Sequence, residues 1–207
     1  MRTVKPRRRA NLRVRLSKAA IPVLLLALST LAQSAHSKSY DQAGIPIDNF
    51  GKVNENYYRG SQPDLAGFLA LKKLGIKTVV DLRNDGIASE PSWVRQAGMH
   101  YFKIPLSSTT PATAEQTQYF LTLVNDPANL PVYVHCAGGR HRTGEMTAIY
   151  RMTHDSWTAD QAYREMTEYR YTSFPFHGSL KDYVYRYYGD LQRPAKAKSR
   201  PGTLPRE

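Results

Sequence analysis

The 207 residues contain a single cysteine, Cys136, and its neighbours define a chemistry. His135 precedes it, Gly138 and Gly139 follow, Arg142 stands six residues on, and Thr143-Gly144 open a helical pattern. This set suits a thiolate nucleophile beneath a bound phosphate. The glycines let the backbone turn tightly, so that the N–H groups of Ala137, Gly138, Gly139, Arg140, His141 and Arg142 can face an anion. A helix starting near Arg142 adds the positive end of its dipole. Such surroundings lower a thiol from its free value of about 8.5. The Arg142 fork can grip two phosphate oxygens at once, and the Thr143 hydroxyl can donate to the sulfur and make it a better leaving group. The plainer alternative is a buried structural thiol beside a Gly-rich turn; the neighbouring residue types argue against it.

The elements that must position these groups are legible in outline. Pro131 to His135 is short, β-branched and aromatic, which predicts a buried strand, and the spacing after the loop predicts a helix over 142–154. Upstream, 56–59 reads as a strand. Gln62-Pro63-Asp64 caps a helix stopped by Gly75, and 77–82 is a strand ending in the turn Asn84-Asp85-Gly86. A helix over 91–96, a strand over 99–104, and helices over 113–124, 159–169 and 178–188 complete the series, with Ser156 or Thr158 near the cap of the fifth helix. The expected fold class is therefore α/β: three layers, with a mostly parallel central sheet and helices on both faces. Ligands in such sheets sit at the carboxyl ends of strands, where Cys136 and the loops after Leu82 and Leu106 fall.

The residues His135, Cys136, Gly139, Arg142 and Thr143 fill every fixed position of the signature His-Cys-x-x-Gly-x-x-Arg-Ser/Thr. The chain thus resembles the cysteine-dependent protein tyrosine and dual-specificity phosphatases. Tyr58-Arg59-Gly60-Ser61-Gln62-Pro63, the stretch 75–83 and the stretch 98–106 resemble the compact, atypical dual-specificity type found in bacteria, fungi and plants. The similarity covers roughly residues 50–170. The resemblance implies attack of the Cys136 thiolate on a phosphomonoester, a cysteinyl-phosphate intermediate, and no metal or other cofactor. It implies that His135 holds the loop and tunes the thiolate rather than acting as a base.

Leaving-group protonation needs a general acid. Many relatives carry an Asp on the loop after the strand that ends here at Leu106. This chain has Ser107-Ser108-Thr109-Thr110-Pro111-Ala112-Thr113-Ala114-Glu115 instead. Asp85 is the first substitute, because its turn follows a strand on the same edge, and Glu115 is the second, unless it only caps its helix. Arg59 is expected either to approach the site or to form a surface salt bridge. Arg140 and His141 are expected to add positive charge at the loop rim, which would suit inositol phosphates or phosphoinositides. The implied partner is a phosphorylated protein or a small phosphomonoester. The rival class is a silent phosphate-binding module that lacks its acid.

Residues 1–18 hold eight basic residues and no acid, followed by an apolar stretch over 19–32 and small residues. This pattern predicts a signal peptide over 1–35, or a signal anchor, and hence an exported, periplasmic or secreted protein that touches membrane only if the segment is uncleaved. The chain carries 29 Lys+Arg against 17 Asp+Glu, a net +12. Setting aside those eight leaves 21 against 17, a net +4, so the basic balance is no argument for a nucleic-acid partner. The phosphatase domain is expected over 45–190, with a disordered tail over 193–207.

Overall fold

The computed structural model describes residues 44–193. The expected signal segment, and the expected tail apart from Arg193, lie outside the described residues. The order of elements is β1 (Gly51–Asn54), β2 (Tyr57–Gly60), α1 (Leu65–Lys73), β3 (Thr78–Arg83), α2 (Glu90–Gln96), β4 (His100–Leu106), α3 (Ala114–Asn125), β5 (Val132–His135), α4 (Arg142–His154), α5 (Ala159–Glu168) and α6 (Gly178–Gln192). A short 3-10 turn at Pro127–Asn129 precedes β5.

The five strands form one sheet in the order β1-β2-β5-β3-β4. β1 runs antiparallel to β2; every other pairing is parallel. β1 is the element the residue pattern did not reveal, because Gly51-Lys52-Val53-Asn54 is too short and mixed to show a period. Elsewhere the expected elements appear, with α6 running four residues longer than expected.

Alternation along the strands divides the core in two. Tyr57, Val80, Leu82, Val132 and Val134 face a large cluster completed by α3 to α6. Tyr58, Val79 and Tyr133 face a smaller one completed by α1 and α2. Both faces of the central strands are thus covered, as a parallel sheet requires. Caps set the helix starts: Asp64 accepts from Gly67 N–H, and Thr113 and Thr158 form capping boxes with Gln116 and Gln161. α4 is buried from Arg142 to Met152 and forms the spine of the larger cluster. Arg151 secures it to α5 through Glu165 at 2.6 Å, a buried pair. Among the described residues no helix is long and apolar enough to cross a membrane.

Candidate active site

Cys136 follows β5 directly, and the turn 137–141 carries the chain into α4. Each carbonyl of that turn is bound from outside. Ala137 O accepts from Gln62 N at 3.1 Å. Asn49 Nδ2 donates to Gly138 O at 3.2 Å and Gly139 O at 3.0 Å, and Arg59 Nη2 donates to Gly139 O at 2.8 Å. Arg140 O and His141 O accept the first amides of the helix, Gly144 N at 3.1 Å and Glu145 N at 2.8 Å. A peptide group that turns its oxygen outward turns its N–H inward, so the turn is a concave nest of amides. Gly139 is in the left-handed region, with φ +64°, and a Cβ there would lie 2.4 Å from the Gly60 carbonyl carbon. Only glycine fits both constraints.

The Cys136 thiol is buried, and its sulfur faces the Arg140 and Thr143 amides. Burial opposes its ionisation. The Thr143 hydroxyl and amide, the Arg142 charge and the Arg140 amide outweigh that and hold it below the ordinary thiol value. The Thr143 hydroxyl is fully buried, and its side chain is the strongest of the groups that lower the thiol.

Arg142 leaves the nest from the first turn of α4 and meets the turn after β3. Its Nη1 donates to Asp85 Oδ1 at 2.7 Å, Asn84 Oδ1 at 3.3 Å and Leu106 O at 3.4 Å. The hydrogen bond from Arg142 holds the Asp85 carboxyl down at about 2, against slight desolvation and with help from the charges of Arg142 and Arg83. As placed, Asp85 is a carboxylate acceptor. Glu115 is exposed on the first turn of α3; its carboxylate bonds its own backbone and Thr113, and no contact with Cys136 or Arg142 is present.

Of the expectations for Arg59 and His141, the first is decided between its alternatives and the second needs correction. Arg59 approaches the site, the first of its two alternatives: it is fully buried, stacked 3.9 Å over the Tyr169 ring, and braces the loop through Gly139 rather than forming a surface salt bridge. His141 adds no charge at neutral pH. Desolvation, then the neighbouring His177, pull it down to about 4, and its ring stacks on His177 at 3.6 Å. Arg140 alone of the two is exposed and cationic.

His135 faces the opposite side of the sheet from Arg59. Its Nε2 lies 2.8 Å from Glu90 Oε1, both side chains being fully buried, and its Nδ1 lies 3.4 Å from Cys136 O. Burial disfavours the imidazolium, but the Glu90 hydrogen bond and the charges of Glu90 and Asp81 outweigh it and raise the pKa. Asp81, Glu90 and His135 bring ligand atoms within 4.8 Å of one another, a donor set that could in principle hold a cation. Here Asp81 accepts from Arg83 N at 2.8 Å and Tyr101 OH at 3.0 Å while Glu90 faces His135, so the three act as a buried brace behind the nucleophile.

Sequence reasoning missed four supporting residues. Glu90 opens α2 and looked like an ordinary helix-start acid. Asn49 has φ 55° in a segment with no apolar period. Glu145 sits three residues past Arg142, fully buried, accepting Ala112 N at 2.9 Å. His177 belongs to the segment before α6. Only Glu145 left a signal, a carboxylate amid the apolar run of a buried helix.

A cysteine at the carboxyl end of a strand, set in an amide nest, an arginine on the next helix, and a mostly parallel sheet covered on both faces together define the class: a cysteine-dependent phosphatase of the dual-specificity tyrosine type, a hydrolase. Residues 37–179 match the model of the family described as "DSP-PTPase phosphatase fused to NAD+ Kinase", and the chain belongs to that family. It is 28% identical over 133 residues to the dual specificity protein phosphatase TpbA of Pseudomonas aeruginosa, covering 64% of this chain and 60% of that one. It is 27% identical over 152 residues to the inositol diphosphatase SIW14 of Saccharomyces cerevisiae, covering 70% and 53%. The chain therefore spans somewhat over half the length of these two relatives. The solved SIW14 catalytic core superposes with a TM-score of 0.60 at 23% identity, over 74% of this chain and 94% of that one. TpbA superposes with 0.57 at 26%, over 67% and 83%.

Proposed function

We propose that this chain hydrolyses phosphomonoesters, phosphotyrosine above all and phosphoserine or phosphothreonine in proteins secondarily, through a cysteinyl-phosphate on Cys136. The observation that carries the reading is the outward bonding of all five carbonyls from Ala137 to His141, which commits the amides to an oxyanion. The thiolate attacks phosphorus in line with the ester oxygen. The P–O bond breaks as the S–P bond forms, and the nest with the Arg142 fork holds the three equatorial oxygens. Asp85 protonates the departing oxygen. Its low pKa is set by Arg142, and a phosphate dianion that takes over Arg142 removes that partner and places negative charge beside the carboxyl. Substrate binding thus moves Asp85 toward the protonated form at the step that needs it. Water then attacks phosphorus, its proton passes to Asp85, and sulfur leaves with the Thr143 hydroxyl donating to it.

The names of the relatives support a phosphorylated substrate. A TpbA variant has been solved with phosphotyrosine bound, whereas SIW14 is an inositol diphosphatase. The neutral state of His141 removes one of the two rim charges that would favour a polyphosphate. We further infer export from the basic and apolar pattern of residues 1–35; a reporter fused to that segment that stays in the cytoplasm would dismiss it.

The deciding experiment is turnover of p-nitrophenyl phosphate and a panel of phosphopeptides, inositol phosphates and phosphoinositides by wild type and Cys136→Ser. Wild-type turnover abolished in the variant is the expected result. Turnover that survives in Cys136→Ser, or no turnover in wild type, overturns the mechanism in favour of a binding module.

A further inference from the structure

The segment between α5 and α6 closes on one residue of the phosphate nest. Tyr171 meets the His141 ring edge-on at 5.4 Å, the Thr172 backbone hydrogen-bonds the same imidazole, and His177 stacks on it at 3.6 Å. Residues 172–177 therefore form an arc with both ends on His141, the residue before Arg142. The arc is also tied to the loop after β4, whose first strand residue back, Leu106, offers its carbonyl to Arg142. His177 Nδ1 donates to Ser108 O at 2.6 Å, and Ser179 Oγ donates to Thr109 O at 2.7 Å. Tyr171 OH donates to His177 O and pins the base of the arc. The arc is thus held by both loops of the site and lies beside it.

At the tip of that arc the chain reads Phe174-Pro175-Phe176. The two rings are 85% and 71% exposed, while the next most exposed large apolar side chain among the described residues, Leu69, reaches 53% and lies on α1. Two solvated phenyl rings on a firmly anchored support are a recognition feature, since exposure of a paired apolar patch is costly unless something covers it. The arc that carries them is anchored on His141 of the nest and on the loop after β4, so the partner that arrives beside these rings is the substrate.

We propose that Phe174 and Phe176 form an apolar lip that packs against apolar side chains flanking the phosphorylated residue of a peptide substrate, so that the protein selects phosphotyrosine in an apolar sequence context over inositol polyphosphates. An inositol polyphosphate is polar on every face and gains nothing from phenyl rings; a Leu or Val beside the phosphotyrosine does. The inference rests on the phosphatase reading above and specifies its substrate.

The test compares wild type with the Phe174→Ser/Phe176→Ser double variant. Substrates are a phosphotyrosine peptide with Leu and Val flanks, the same peptide with Ser and Asp flanks, an inositol polyphosphate, and p-nitrophenyl phosphate as the reference too short to reach beyond the mouth. Covering roughly half of each ring corresponds to about a tenfold preference in kcat/KM. Wild type is expected to show it for the apolar peptide, through KM, and the double variant to lose it when rates are normalised to the reference. A wild type that turns over the reference and both peptides alike, or a variant that keeps the preference, removes the lip and leaves the phosphatase standing. A wild type that cleaves the inositol polyphosphate and neither peptide overturns the phosphotyrosine reading itself. A change of sedimentation coefficient in the double variant would assign the rings to contact between two copies and overturn the proposal.

Discussion

Asp85 and Arg142 are 57 residues apart in the chain and 2.7 Å apart in space, Oδ1 accepting from Nη1. The contact joins the turn after β3 to the first turn of α4. It couples the state of the candidate acid to whatever else the guanidinium holds. Arg83 reinforces the turn, donating from Nη2 to Asp85 O at 2.7 Å and from Nη1 to Gln62 Oε1 at 3.0 Å.

Asp85→Asn should separate substrates by leaving group. An alkyl phosphate such as phosphoserine needs its oxygen protonated, so its kcat should fall by roughly 10²-fold or more. An aryl phosphate with an acidic phenol should lose much less. Equal losses on both, measured as kcat over a leaving-group series, would remove Asp85 from the acid role.

Two glycines of the nest should respond differently. Gly139→Ala meets backbone atoms at 2.4 to 2.8 Å with φ positive, so the loop must deform and activity should collapse. At Gly138 the nearest atom to a new Cβ is Arg140 Nε at 3.4 Å, on a flexible exposed side chain, and φ lies outside the left-handed region. Gly138→Ala should keep most of its activity. Similar losses in both variants would contradict the described loop.

Glu90→Gln tests the brace behind the nucleophile. Removing the carboxylate takes away the group that most raises the His135 pKa, so the imidazolium behind Cys136 is less favoured. The thiol pKa should rise, seen as a shift to higher pH in the midpoint of iodoacetamide alkylation. An unchanged midpoint with unchanged melting would make Glu90 a packing residue only.

Glu145 should make stability depend on pH. Burial raises its carboxyl to about 8, opposed by the Ala112 N–H. The native state therefore holds a proton that the unfolded chain releases above its ordinary value, and stability falls as pH rises from about 4.5 toward 8. Glu145→Gln keeps the acceptor for Ala112 N and removes the ionisation. Its melting temperature should exceed wild type by several degrees at pH 8, corresponding to on the order of 2 kcal/mol, and match it near pH 5. Calorimetry at the two pH values decides this.

Local chemistry could be read from the chain because it depends on near neighbours. The nucleophile, the tight turn, the arginine and the helix that aims it occupy positions 135 to 144, and contacts within ten residues follow from residue type and backbone rule. The alternating strands and helices likewise follow from period and punctuation, and they imply the covered sheet. Tertiary structure alone decided which groups from elsewhere support that loop. Asn49 and Arg59 turn its carbonyls outward from about 80 to 90 residues away. Asp85 reaches Arg142, Glu90 faces His135, and His177 covers His141, because strand order 2-5-3 brings the ends of three distant strands together. Those pairings are set by sheet order and burial, which act between segments far apart in the chain. No local pattern encodes them, and so the charge of His141, the place of Arg59 and the low pKa of Asp85 had to come from the fold.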